Sequence, residues 1–265
     1  MIEKYVATEP KEFILYIENI DSFDRLHESV KKYLLANQEL LKNRADKKRR
    51  STAKWWNFTF PMHEKYYNKQ KIWCSYRSIA NAFCLDDGAE YIGLTNTTVI
   101  FDVNTKTNFK YLLALLNSET LSYRYSFIGK RTGNGLLEYF ENGVGKLPII
   151  EAARGIQLSV AAIVDYVMKL KMTNLQLATL YFEQLIDGLV YELYFPDEIK
   201  AANKEILPHL GDLTPITDAM TDEEKLAVIQ REFDRLYDPH HPVRNRLETL
   251  DSVEVVRTIR GALKR

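Results

Sequence analysis

After Pro148 the apolar residues of this chain fall at helical spacing and keep it to the end, and that change of period separates two kinds of structure. The spacing predicts helices over 157–170, 174–193, 197–206, 221–236 and 247–263. In the second, Leu177, Leu180, Tyr181, Leu185, Leu189 and Leu193 recur on one face, the pattern of an element packed on another. Thr221 followed by Glu224 forms a T-x-x-E capping box, and DPHHP at 238–242 breaks the chain before the last helix.

Upstream the pattern differs. A short strand is expected over 13–17 and a helix over 24–42, with Asp21 or Ser22 placed to cap it. Between residues 55 and 104, short β-branched and aromatic runs are divided by Pro61, Asn68, DDG at 86–88 and NTKTN at 104–108. They predict strands near 71–74, 82–85, 91–93 and 98–102. Helical spacing returns over 111–127, and a glycine-rich stretch follows at 129–145 that matches no phosphate-binding loop. The fold class expected is α+β. A mixed, mainly antiparallel sheet domain with an N-terminal helical segment occupies 1–150, and a helical domain for docking or oligomerisation occupies 151–265.

The chain carries 36 basic and 36 acidic side chains, but the neutrality is a cancellation. Residues 1–150 hold 22 Lys and Arg against 17 Asp and Glu, and residues 151–265 hold 14 against 19. From residue 42 to 146 the count is 17 against 9, a field that attracts a polyanion such as DNA. Its densest part supplies Lys47, Lys48, Arg49, Arg50 and Lys54 as phosphate-gripping candidates. Lys71, Arg77, Lys130, Arg131 and Asn134 form a second group around the expected sheet, where directed donors read base edges.

Other chemistries find less support. Cys74 and Cys84 fall in strand-like runs, read as buried thiols in a reducing cytoplasm, and with His63 they lack zinc-ligand spacing. His240 and His241 read as part of a solvated turn rather than a metal site. No apolar run reaches the roughly 18 residues of a membrane span. Asp86, Asp87 and Glu90 are the one acidic cluster that suggests a metal-dependent nuclease, and a hairpin turn explains them more simply. Trp55 and Trp56 read as a wedge between sheet and helix before a stack for bases.

Several segments occur together in order: Lys71 and Ile72; FCLDDGAEYIGLTNTTVIF at 83–101; YLLALLNS at 111–118; KLPII at 146–150; and FEQLIDGLVYELYF at 182–195. This series resembles the carboxyl-terminal target recognition (specificity) domain, of the TaqI-like kind, in type II single-chain restriction-modification enzymes and N6-adenine DNA methyltransferases. The last segment is similar to the family's E-x-x-I-D-x-x-V-Y-x-L-Y helix through Glu183, Ile186, Asp187, Val190, Tyr191, Leu193 and Tyr194. The likeness covers about residues 50–200. The family's W-Y-x-L-x opening is matched only loosely at Trp55 and Trp56.

The resemblance implies sequence-specific recognition of double-stranded DNA, directing adenine methylation or cleavage by modules that this sequence lacks. Neither an N-P-P-Y or D-P-P-Y tetrapeptide, nor a glycine motif for S-adenosylmethionine, nor a nuclease P-D and E-x-K arrangement occurs. S-adenosylmethionine and Mg2+ would therefore belong to methyltransferase and nuclease partners, joined in cis or as subunits. The C-terminal helices also suit a homodimer, and a helical protein-interaction or scaffold subunit without direct DNA contact, associating through 174–193 and 247–263, is the alternative expectation.

Overall fold

The computed structural model describes residues 2–7, 14–59, 65–88, 91–93 and 96–264. Its contacts divide the chain into two compact units, Glu9–Tyr67 on one hand and Met1–Thr8 with Asn68–Arg265 on the other. The division of contacts falls at residue 67, and residues on both sides of 150 belong to the larger unit. The reason is the apolar segment at 111–116, which needs cover from the sheet on one side and from helices on the other.

The smaller unit holds α1 (Glu28–Ala36), α2 (Gln38–Lys42) and α3 (Ala45–Arg49), preceded by a single 3-10 turn, Phe23–Arg25. The one helix expected over 24–42 is therefore broken. His27 accepts the Ser29 backbone N–H at the start of α1, and Asn37 interrupts the run before α2. Residues 14–17 are not a strand, and Phe13 lies outside the described residues. The unit is held by rings and by carbonyls. Phe23 meets Trp55 and Trp56 at 5.3 and 5.5 Å, and Trp56 Nε1 donates to the Ile20 carbonyl at 3.0 Å. The two indoles therefore pack against a turn of their own unit instead of wedging a sheet.

In the larger unit, β1 (Lys71–Ser75), β3 (Phe83–Asp86) and β4 (Thr97–Ile100) form one antiparallel sheet in the order β3-β1-β4. A second small sheet has the order β2-β6-β5, from β2 (Arg77–Ser78), β5 (Lys130–Arg131) and β6 (Leu137–Glu138). Residues 91–93 form no strand, and the sheet content is smaller than the aromatic runs suggest, because loops connect these short pieces. The helix expected over 111–127 is two, α4 (Phe109–Asn117) and α5 (Glu119–Tyr125). Ser118, extended at ψ 155°, ends one and caps the other through its hydroxyl.

After the short α6 (Glu141–Val144), the helical region follows. Long α7 (Arg154–Leu170) and α8 (Gln176–Tyr194) pack together, and α4 lies against α7, so residues 111–116 are buried throughout. On another face of α8, Gly188 leaves room for Ile206 and Leu247, since a Cβ there would stand 2.5 and 2.6 Å from them. The helix expected over 197–206 ends early as α9 (Pro196–Ala201), where Asn203 takes a left-handed φ of 55°, and α10 (Leu207–Leu210) follows. The capping box begins α11 (Asp222–Tyr237) as expected. The last expected helix is divided into α12 (Pro242–Glu248), a 3-10 turn at Leu250–Ser252 and α13 (Glu254–Leu263).

Candidate nucleic-acid interface

The β2-β6-β5 sheet gathers four of the ten candidate residues into one short stretch of surface. Register places Arg77 opposite Glu138 and Glu138 opposite Lys130, while Ser78, Leu137 and Arg131 form the next row. Leu137 faces the core, where it approaches Tyr125 beside Gly129. Arg77 forks onto Glu138 Oε1, with Nη2 at 2.8 Å and Nε at 3.1 Å. Its guanidinium is thereby fixed in place, while Lys130 and Arg131 remain exposed.

The turn between β5 and β6 is equally defined. Thr132 N–H donates to the Leu136 carbonyl at 2.8 Å, and Gly135 supplies the left-handed φ of 84° that closes the loop. Thr132 Oγ1 donates to Asn134 Oδ1, which orients the amide and leaves its NH2 without a partner among the described residues. Between residues 124 and 134 the chain carries Arg124, Lys130 and Arg131 and no acid. Such a surface offers cations for phosphate and directed donors for base edges.

Lys71 does not belong to it. The Lys71 side chain is 0% exposed and its Nζ lies 2.8 Å from Asp86 Oδ2, itself buried, across the β1–β3 register. A lysine sealed in an ion pair cannot reach a phosphate, because parting it from Asp86 would leave two charges in an apolar interior. The same pairing removes Asp86 from any acidic cluster with Asp87. Glu90, like His63 and Pro61, lies outside the described residues.

The other group sits in the unit Glu9–Tyr67. Lys48 and Arg49 are exposed in the last turn of α3, where positive charge also complements the helix dipole. Lys47 Nζ donates to the Ser51 carbonyl at 2.7 Å, Arg50 Nη1 to the Thr59 carbonyl at 3.0 Å, and the Lys54 ammonium lies 5.7 Å from the Trp56 ring. Arg44, which the sequence did not single out, binds the carbonyls of Leu41, Trp55 and Asn57 and so ties this unit together.

The ordered segments that carry the family likeness join one another in space. Asn117, within L-N-S, pairs by both amide atoms with the backbone of Phe83, at 2.8 and 2.9 Å, standing in for a neighbouring strand. Tyr194 donates to the Pro148 carbonyl of KLPII at 2.5 Å, and Tyr111 to the Ile150 carbonyl at 2.9 Å. Asp187 accepts the Glu119 N–H, and Tyr191 donates to Glu119 Oε2 at 3.0 Å. The motifs are thus a frame, and the exposed Lys130 and Arg131 stand on β5 of the same unit.

Residues 18–149 match the family described as the TaqI-like C-terminal specificity domain. The chain carries a TaqI-like C-terminal specificity domain. The matched span begins upstream of the 50–200 likeness and ends at KLPII, so α8 with its E-x-x-I-D segment lies beyond it. No curated protein matches the chain.

The remaining chemistry-bearing side chains have local tasks. His241 accepts the Val243 N–H at 3.3 Å as the cap of α12, ahead of Pro242. Both cysteines are free and buried, and burial pushes the Cys84 thiol up to about 12 and the Cys74 thiol higher. Glu192 is buried with its carboxylate on the N–H groups of Ile206 and Leu207, and desolvation raises its pKa against those two bonds. Among the described residues, no helix is long and apolar enough to cross a membrane.

Proposed function

We propose that this chain binds double-stranded DNA at a specific sequence and brings to it methyltransferase or nuclease modules carried elsewhere in the same enzyme or complex. The observation that carries the reading is the specificity-domain match together with the run 124–134, which carries Arg124 and the exposed Lys130 and Arg131 and no acid. Lys130 and Arg131 grip phosphates, and Asn134 offers its amide to a base edge. Lys48 and Arg49 supply a second phosphate-binding group on the other unit. S-adenosylmethionine serves the methyltransferase module and Mg2+ the nuclease module, both outside this chain.

The test is selection from a random duplex pool, followed by fluorescence anisotropy at several salt concentrations. A selected duplex that binds more tightly than its scrambled form, with affinity falling as salt rises, supports the reading. Folded protein that holds no duplex at low salt overturns it.

A second reading is favoured by one observation. Met172, Leu175, Leu177 and Leu180 are exposed around the α7–α8 turn, outside the matched span. An apolar group of this kind suits docking onto another protein module or a second copy of the chain. Association of the chain that persists after replacement of Arg49 and Arg50, and is lost with Leu177→Glu and Leu180→Glu, would support it.

A further inference from the structure

Ile79 is 81% exposed, more than any other large apolar side chain among the described residues. It is the first residue past the β2 ladder. Because β2 runs antiparallel to β6, it leaves the sheet at the end where the turn at 132–135 stands. The same small sheet carries Arg77, held by Glu138, and the exposed Lys130 and Arg131, and its turn carries the Asn134 amide. Ala80 beside it is exposed as well.

Lone apolar residues are common on surfaces, so the setting decides what this one is suited to. The exposed leucines around the α7–α8 turn belong to the acidic half of the chain, whereas residues 72–85 contain Arg77 and no acid. Cations on this sheet draw in a polyanion, and an apolar partner then has to be a feature of that polyanion. In the major groove of duplex DNA, the apolar feature that distinguishes one base pair from another is the thymine 5-methyl group. A short sheet with a tight turn is also of the size that enters this groove.

We infer that Ile79 is a specificity-determining residue whose side chain packs on a thymine 5-methyl group, with Lys130 and Arg131 holding the adjacent phosphates. The inference rests on the DNA-binding reading above and assigns it a base and a position. Apolar contact requires no fixed hydrogen-bond geometry. Valine in place of isoleucine therefore retains the preference, while alanine loses it.

The experiment uses the full chain and the duplex selected above, with each thymine replaced in turn by uracil, which removes only the methyl group. The expected result is one position at which uracil weakens the native protein roughly fourfold. Ile79→Ala binds thymine and uracil there equally, and Ile79→Val still separates them. Since the side chain is exposed, the melting temperature of Ile79→Ala stays at the native value, which sets folding aside. If no duplex is selected, the DNA-binding reading itself falls. If a duplex is selected but uracil is tolerated everywhere, or Ile79→Ala still discriminates, or it weakens thymine and uracil duplexes alike, the Ile79 assignment is overturned while the DNA-binding reading stands.

Discussion

The backbone N–H of Glu119 donates to Asp187 Oδ1 at 2.7 Å, so a carboxylate from α8 caps the first turn of α5. Glu119 in turn accepts Arg260 Nε at 2.9 Å, and Arg260 Nη1 reaches Asp251 at 2.6 Å, which fixes α13 beside α5. Residues from the matched span and from beyond it therefore share one polar junction. Its integrity is needed for the sheets that α4 and α5 support.

Desolvation pushes the Asp187 carboxyl up to about 7, with the negative charge of Glu119 adding to the shift. In the unfolded chain the same group ionises near 4, at about 3.9. Between these values the native state holds a proton that the unfolded state has lost, so stability falls as pH rises from about 4 to about 7 and then levels. Asp187→Asn keeps an acceptor for Glu119 and removes the ionisation. Urea midpoints at pH 5 and pH 8 should show the native protein losing more stability than Asp187→Asn over this interval; equal losses would reject the assignment.

Lys71→Ala leaves Asp86 charged and buried, with the Tyr91 N–H at 3.0 Å among the bonds that remain to it. A loss of about 3–5 kcal/mol is expected from breaking one side of such a pair. Lys71→Met with Asp86→Leu should recover much of it, since neither charge is then stranded. Chemical denaturation of the three proteins checks both statements. A Lys71→Ala variant as stable as the native chain would return Lys71 to the exposed group.

The contrast between Lys71 and Thr221 shows what sequence makes visible. Thr221 and Glu224 bond each other's backbone within one turn, so their pattern and their structure coincide. The α7 and α8 helices are legible for a similar reason, because helical periodicity is local. Lys71 meets its partner 15 positions further along, through strand pairing that composition does not encode, and a lysine at a strand start reads as surface. The break at Asn203 depends on one left-handed residue, and the division at residue 67 on what covers α4. Ile79 is not legible as exposed, because an isolated apolar residue in a loop has no period.

Arg44 and its neighbours on α3 should separate stability from binding. Arg44→Ala strands the carbonyls it serves at Leu41, Trp55 and Asn57, and a loss of about 1–3 kcal/mol is expected from the unit around the two indoles. Tryptophan fluorescence shifts to longer wavelength at lower denaturant in that variant. Lys48→Ala and Arg49→Ala, exposed on α3, should leave the transition within about 0.5 kcal/mol of the native value. Equal behaviour of all three would contradict the distinction.

Lys130 and Arg131 provide the complementary separation on the β2-β6-β5 sheet. Each is exposed at an edge strand, so alanine at either position should leave the melting temperature unchanged within error. If each neutralises one phosphate, alanine lowers affinity for all duplexes together and reduces the magnitude of the log–log salt slope by about 1. Asn134→Ala is expected to act otherwise: it leaves the slope in place and relaxes preference at one base pair, because a neutral amide releases no counterions. Arg77→Ala uncovers Glu138, so its loss of affinity should come with a loss of stability of about 1 kcal/mol, moderated by the exposure of the guanidinium. Anisotropy titrations of the four variants over a series of salt concentrations resolve these outcomes. An unchanged slope for both Lys130→Ala and Arg131→Ala would remove this sheet from the phosphate contacts and leave Lys48 and Arg49 as the cations to test next.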